Sequence, residues 1–209
     1  AVKPSFVKKL SQADLYIQIG LDLEVGWAPA VIRNSRNAKV QQGGSGYLDA
    51  SQGITPKKTT TGDRSAGDVH PRGNPHYLLD PMNGVKVATT IKDRLSKLHP
   101  ANKASFEANL ARFKQTITAS TQQWQEQLKK YKGTKVVADH DLWPYFAERF
   151  GIKVVGLMEP KPGIAPTTDH LQKLVASMKA EKIKLVFAAP YFNASYAEFL
   201  KKNTGAKIL

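Results

Sequence analysis

The chain has 209 residues, 41% of them hydrophobic, no cysteine, and a formal charge of +14 from 31 Lys and Arg against 17 Asp and Glu. This allows one moderate core or two small ones. It excludes disulfides, thiolate metal sites and cysteine nucleophiles, so any metal must be held by His, Asp or Glu.

No run reaches the ~18 apolar residues of a membrane span, and the opening AVKPSFVKK lacks the apolar centre of a signal peptide. Residues 3–13, with Phe6, Val7 and Leu10 apolar, predict a short helix, and 15–19 a strand closed by Gly20. A second helical stretch, 21–33, is expected to break or kink at Pro29, and 38–42 reads as a weak strand. Residues 43–75, rich in Gly, Thr, Ser, Asp and Lys, predict a long flexible loop, and loops of that length in a compact domain are usually functional or mobile. The Gly43-Gly44-Ser45-Gly46 cluster lacks the Gly-Lys-Ser/Thr that would make it a phosphate cradle.

Asp80-Pro81 is a good helix start, an Asp cap followed by Pro at the first position, and Ala88, Ile91, Leu95 and Leu98 carry that helix to His99-Pro100. Then comes the longest uninterrupted helical pattern, 101–131. Phe106, Leu110, Phe113, Ile117, Trp124, Leu128 and Tyr131 fall on one stripe of a rod roughly 45 Å long at ~1.5 Å per residue. After Gly133 the pattern alternates: strand 135–138, helix 142–150, strand 153–158, helix 168–181, strand 185–189, helix 194–203, strand 206–209. Such alternation predicts an α/β fold with a mainly parallel sheet flanked by helices. The expected organisation is an N-terminal α/β lobe (1–98), a linking helix (99–132) and a C-terminal α/β lobe (133–209), both lobes incomplete.

The basic residues are scattered, at 8–9, 57–58, 129–132 and 201–202, mostly at expected helix ends and loops, where a cation complements the helix C-terminus or is simply solvated. No recognition motif or basic-aromatic interleaving accompanies them, so nucleic acid is not an expected partner.

Sites in open parallel sheets lie at the carboxyl ends of strands, which singles out His140, delivered by Val136-Val137-Ala138 between Asp139 and Asp141. His76, at the mouth of the long loop and just before a capped helix, is the second candidate. Either imidazole serves equally well as a metal ligand or as a loop residue bonded to backbone. His70 is expected to be a solvated loop residue, and His99 and His170 to lie on the surface. No GxSxG elbow points to a serine hydrolase.

Several motifs, in order, carry a resemblance. They are Lys3-Pro4-Ser5-Phe6-Val7, Gly73-Asn74-Pro75-His76-Tyr77-Leu78-Leu79-Asp80-Pro81, the long helix, Asp139-His140-Asp141-Leu142-Trp143-Pro144-Tyr145-Phe146, and Glu159-Pro160-Lys161-Pro162-Gly163. Together they resemble the solute-binding proteins of zinc and manganese ABC importers over nearly the whole chain. The resemblance implies two α/β lobes joined by one long rigid helix, and a metal held between them by three His and one Asp or Glu. His76 matches the family's second ligand and His140 its third; the first His and the acidic ligand are expected outside these residues. Leu78 stands where the family often has Trp, and Asp139 where a neutral residue is commoner. Asp141 is expected to orient His140, and the loop holding His70 resembles one that some members place over the metal.

The implied protein is a periplasmic or extracytoplasmic monomer, not an enzyme. It binds Zn²⁺, with Mn²⁺ possible for a mixed nitrogen and oxygen donor set, and hands the ion to an ABC-type membrane permease. The alternatives are a metal-dependent hydrolase on the same histidines and, less favoured, a basic nucleic-acid-binding protein.

Overall fold

The computed structural model describes residues 3–58 and 70–209. The chain divides into two compact units, Ala1–Pro56 with Pro81–Thr121, and Lys57–Asp80 with Gln122–Leu209.

In the first unit, α1 (Pro4–Ser11) begins on its proline, which suits a position whose N–H has no intrahelical partner, and leads into β1 (Tyr16–Gln18). The stretch expected to be helical from 21 is a series of turns, with Leu21 and Asp22 both at positive φ, and α2 spans Ala28–Ser35. Pro29 therefore opens the helix instead of kinking it. The expected strand at 38–42 is a single 3-10 turn, Ala38–Val40, capped by the Asn37 side chain. The strand lies further on, as β2 (Tyr47–Asp49), which pairs in parallel with β1. Leu10, Ala28, Val31, Ile32 and Val40 form the buried cluster beneath, with Tyr16 and Tyr47 packed against it.

Two long helices follow, α3 (Pro81–Leu98) and α4 (Lys103–Leu128), the latter flanked by 3-10 turns at Pro100–Asn102 and Lys129–Tyr131. The helix expected over 101–131 is α-helical over Lys103–Leu128 with 3-10 turns at its two ends, and its stripe is only partly covered. Phe106, Leu110, Ile117 and Leu128 are half-buried, while Phe113, Trp124 and Tyr131 remain exposed.

The second unit holds a four-stranded parallel sheet in the order β4-β3-β5-β6, made of β3 (Lys135–Ala138), β4 (Lys153–Leu157), β5 (Leu185–Phe187) and β6 (Lys207–Ile208). Helices α5 (Pro144–Phe150), α6 (Thr168–Ala180) and α7 (Ala194–Thr204) alternate with the strands as predicted. The period-2 geometry of a strand explains the core. Val137 joins Val186, Leu171, Met178 and Leu200 against α6 and α7, whereas its neighbour Val136 joins Phe150 and Ile152 against α5 and Leu128 of α4. With both faces covered, β3 is buried from Val136 onward and reads as an unbroken apolar run.

The units differ from the expected division at two places. The expected linking helix (99–132) is divided between them after Thr121. Residues 57–80 group with the C-terminal strands, not with 1–56, because α5 holds them directly. The Tyr145 hydroxyl accepts from the Lys57 N–H at 2.9 Å and donates to the Asn74 carbonyl at 2.8 Å. The Arg149 guanidinium meets both carboxylate oxygens of Asp80 at 2.7 Å, which holds Arg149 protonated above its ordinary range. Asp80, expected as a helix cap, thus ties 3-10 turn Tyr77–Leu79 to α5. His76 and His140, expected in different lobes, belong to the same unit.

Candidate metal centre

His140 stands one residue past the end of β3, beyond Asp139, and its backbone is fixed by that aspartate. One Asp139 carboxylate oxygen accepts the His140 N–H at 2.8 Å, and the other accepts the Ala189 N–H beyond β5 at 2.5 Å. The Asp139 main chain meanwhile bonds to Phe187 and Glu159, so three adjacent strand ends converge on one residue. Burial pushes the Asp139 carboxyl above its usual range, against the N–H donors that favour its charged form.

The His140 ring is held on one face and at one edge. Phe192 stacks on it at 5.5 Å between centroids, and Glu159 Oε2 lies 2.6 Å from Nδ1 while also accepting the Gly163 N–H. A carboxylate can only accept, so the Nδ1 nitrogen carries the proton and the imidazole lone pair is on Nε2. The orienting carboxylate is therefore Glu159, in place of the expected Asp141. Asp141 instead offers its backbone carbonyl to the Asn74 side chain at 2.6 Å, and burial raises its carboxyl.

His76 precedes the 3-10 turn Tyr77–Leu79. Its N–H donates to Asn74 Oδ1 at 2.9 Å, and its Nδ1 lies 3.0 Å from the same oxygen. By the same logic, Nδ1 is protonated and the lone pair is on Nε2. Both histidines thus have one nitrogen engaged by an orienting acceptor, the pattern found behind imidazoles that bind metals.

The ring centroids of His76 and His140 are 5.4 Å apart at an interplanar angle of 83°. Two imidazoles sharing one zinc tetrahedrally, each through nitrogen at roughly 2.0 Å, have centroids roughly 5 Å apart, so the pair has the spacing of a shared ion. Among the described residues no group of three or more His, Cys, Asp and Glu side chains is placed to hold a metal. The pair supplies two nitrogen donors only.

His70, expected in solvent, is 6% exposed and meets His76 edge-on with centroids 6.5 Å apart. No periodic or strand-end signal marks it; its spacing of six residues from His76 was the only hint. The rest of the predicted loop over the site, residues 59–69, lies outside the described residues. His99 is exposed as expected, while His170 is half-buried, with Nε2 2.8 Å from the Leu157 carbonyl.

The model of the family described as zinc-uptake complex component A, periplasmic, matches residues 1–209. The high-affinity zinc uptake system protein ZnuA of Yersinia pestis is 25% identical over 228 aligned residues, which cover 99% of this chain and 69% of that protein. The metal ABC transporter substrate-binding lipoprotein ScbA of Streptococcus cristatus is 27% identical over 98% of this chain and 65% of its own length. The chain thus spans about two thirds of these relatives, 69% and 65%. A crystal structure of ZnuA superposes on the whole chain with a TM-score of 0.84 and 28% identity, and the chain covers 75% of it.

Proposed function

The chain belongs to the family of periplasmic zinc-uptake component A proteins, and from that premise we propose that it captures a divalent metal ion through His76 and His140 and delivers it to an ABC-type membrane permease. The observation that carries this reading is the imidazole pair, 5.4 Å between centroids, with each Nδ1 engaged by an acceptor. Two neutral imidazoles suit Zn²⁺, and a sphere that also held a carboxylate would accept Mn²⁺. The ion is cargo, and the protein works as an extracytoplasmic monomer without turning over a substrate. No helix among the described residues is long and apolar enough to cross a membrane.

A hydrolase on the same histidines would need a carboxylate placed as a base beside a metal-bound water. Glu159 is committed to the Nδ1 of His140 and the Gly163 N–H, and Asp139 to the backbone of His140 and Ala189, which favours binding over catalysis.

Zinc titration of the 209-residue chain beside His76→Ala and His140→Ala tests the assignment. Each variant is expected to lose more than the ~10–100-fold that removal of an orienting partner costs. Affinity in either variant equal to that of the parent chain sinks the assignment.

A further inference from the structure

We propose that Asn74 is the positioning residue of the imidazole pair: one amide both fixes the tautomer of His76 and ties the segment carrying His76 to the loop carrying His140. The inference rests on the reading of His76 and His140 as metal ligands.

Asn74 is 1% exposed, so its polar atoms must find partners within the protein. Its Nδ2 donates to the Asp141 carbonyl at 2.6 Å. A carbonyl cannot donate, so this bond fixes which end of the amide is which, and the oxygen faces His76. That oxygen receives the His76 backbone N–H at 2.9 Å and lies 3.0 Å from Nδ1. It has no proton to give, so Nδ1 must donate and the lone pair is left on Nε2. The Asn74 main chain is itself clamped, its N–H donating to the Lys57 carbonyl at 2.8 Å and its carbonyl accepting from the Tyr145 hydroxyl.

The residue type matters because the position calls for an acceptor and a donor on one short side chain. Aspartate supplies the acceptor for His76 but turns a second lone pair toward the Asp141 carbonyl. Alanine supplies neither. The two histidines also differ in kind: His140 is backed by a carboxylate and His76 by a neutral amide.

The test reads the His76 tautomer in the metal-free 209-residue chain by long-range ¹H–¹⁵N NMR, and zinc affinity by competition with a chromophoric chelator. The wild-type chain is expected to show the Nδ1–H form of His76. Asn74→Ala is expected to lose that bias and ~10–100-fold in zinc affinity, while Asn74→Asp keeps the tautomer and recovers part of the affinity. An Nε2–H His76 in the wild-type chain overturns the proposal, as does zinc affinity in Asn74→Ala within twofold of wild type. Should Asn74→Ala fail to fold, the wild-type tautomer and Asn74→Asp decide alone. Loss of affinity in His76→Ala and His140→Ala with none in Asn74→Ala refutes only this inference; no loss in the histidine variants refutes the metal assignment itself.

Discussion

Asp139 looks out of place in the sequence, an acid beside a ligand histidine, and the structure gives it a different task. Its carboxylate receives backbone N–H groups from His140 and Ala189, so it fixes the main chain and leaves the orienting of the imidazole to Glu159. A second ionisable group is perturbed in the other unit. Burial, followed by Glu24, Tyr47 and Asp49, pushes the Tyr16 hydroxyl up to about 12. The folded state therefore favours the un-ionised phenol. Its contribution to stability is complete below the unfolded value near 10 and is lost as pH rises through the window from 10 to about 12. Urea unfolding of wild type and Tyr16→Phe at pH 9 and pH 11 should show the variant gaining on wild type at the higher pH; a difference that stays constant would contradict the shift. Among the candidate ligands, His140 is singled out by its place just past a strand and His76 by its place just before the Asp80-Pro81 helix start. His70 is not, since no periodic or strand-end signal marks its burial beside His76. Glu159 was missed as the partner of His140 because 19 residues and a whole strand separate them.

At the scale of elements, the second half of the chain was nearly transparent. The central strand β3 is an apolar run buried from Val136 onward, and each helix carries its own start signal, as at Thr167, whose side chain caps α6. The first half misled because its strands are three residues long and its glycines act through space rather than through turn chemistry. A Cβ on Gly46 would stand 2.2 Å from the Asp14 carbonyl oxygen, and one on Gly44 2.3 Å from that of Lys39. The glycine cluster that could be mistaken for a phosphate loop thus lets β2 approach the chain ahead of β1: the Gly46 carbonyl accepts the Tyr16 N–H, and the Gly46 N–H donates to Lys39. Gly46→Ala is expected to destabilise by about 3 kcal/mol, the upper range for overpacking, because the obstructing atom is backbone. Gly26 has nothing within 4 Å of an added Cβ, so Gly26→Ala should be neutral or stabilising by up to ~1 kcal/mol. Equal effects in chemical denaturation would refute this account of the glycine cluster.

For the molecule as a whole, the α/β class and the long helix could be read from periodicity, whereas the membership of residues 57–80 could not. That segment has weak periodicity and is placed by side-chain bonds that cross 67 residues from Asn74 to Asp141, 69 from Asp80 to Arg149 and 88 from Lys57 to Tyr145. Such contacts leave no mark on local sequence pattern. On the proposed reading, an ion held by the two histidines would have a second role. A metal shared by His76 and His140 would close, through two coordinate bonds, a loop of some sixty residues, the kind of long loop whose closure restricts the unfolded chain most. Cargo is then also a cross-link, and a loaded protein should resist heat better than an empty one. At zinc a hundredfold above its dissociation constant the gain is about 2.7 kcal/mol if the unfolded chain does not bind the ion. Thermal unfolding with and without zinc should show a rise in midpoint that His76→Ala abolishes, and an unchanged midpoint at saturating zinc would contradict it. Release of the ion to a permease would then slacken the segment it had pinned, so that unloading and local loosening become one event.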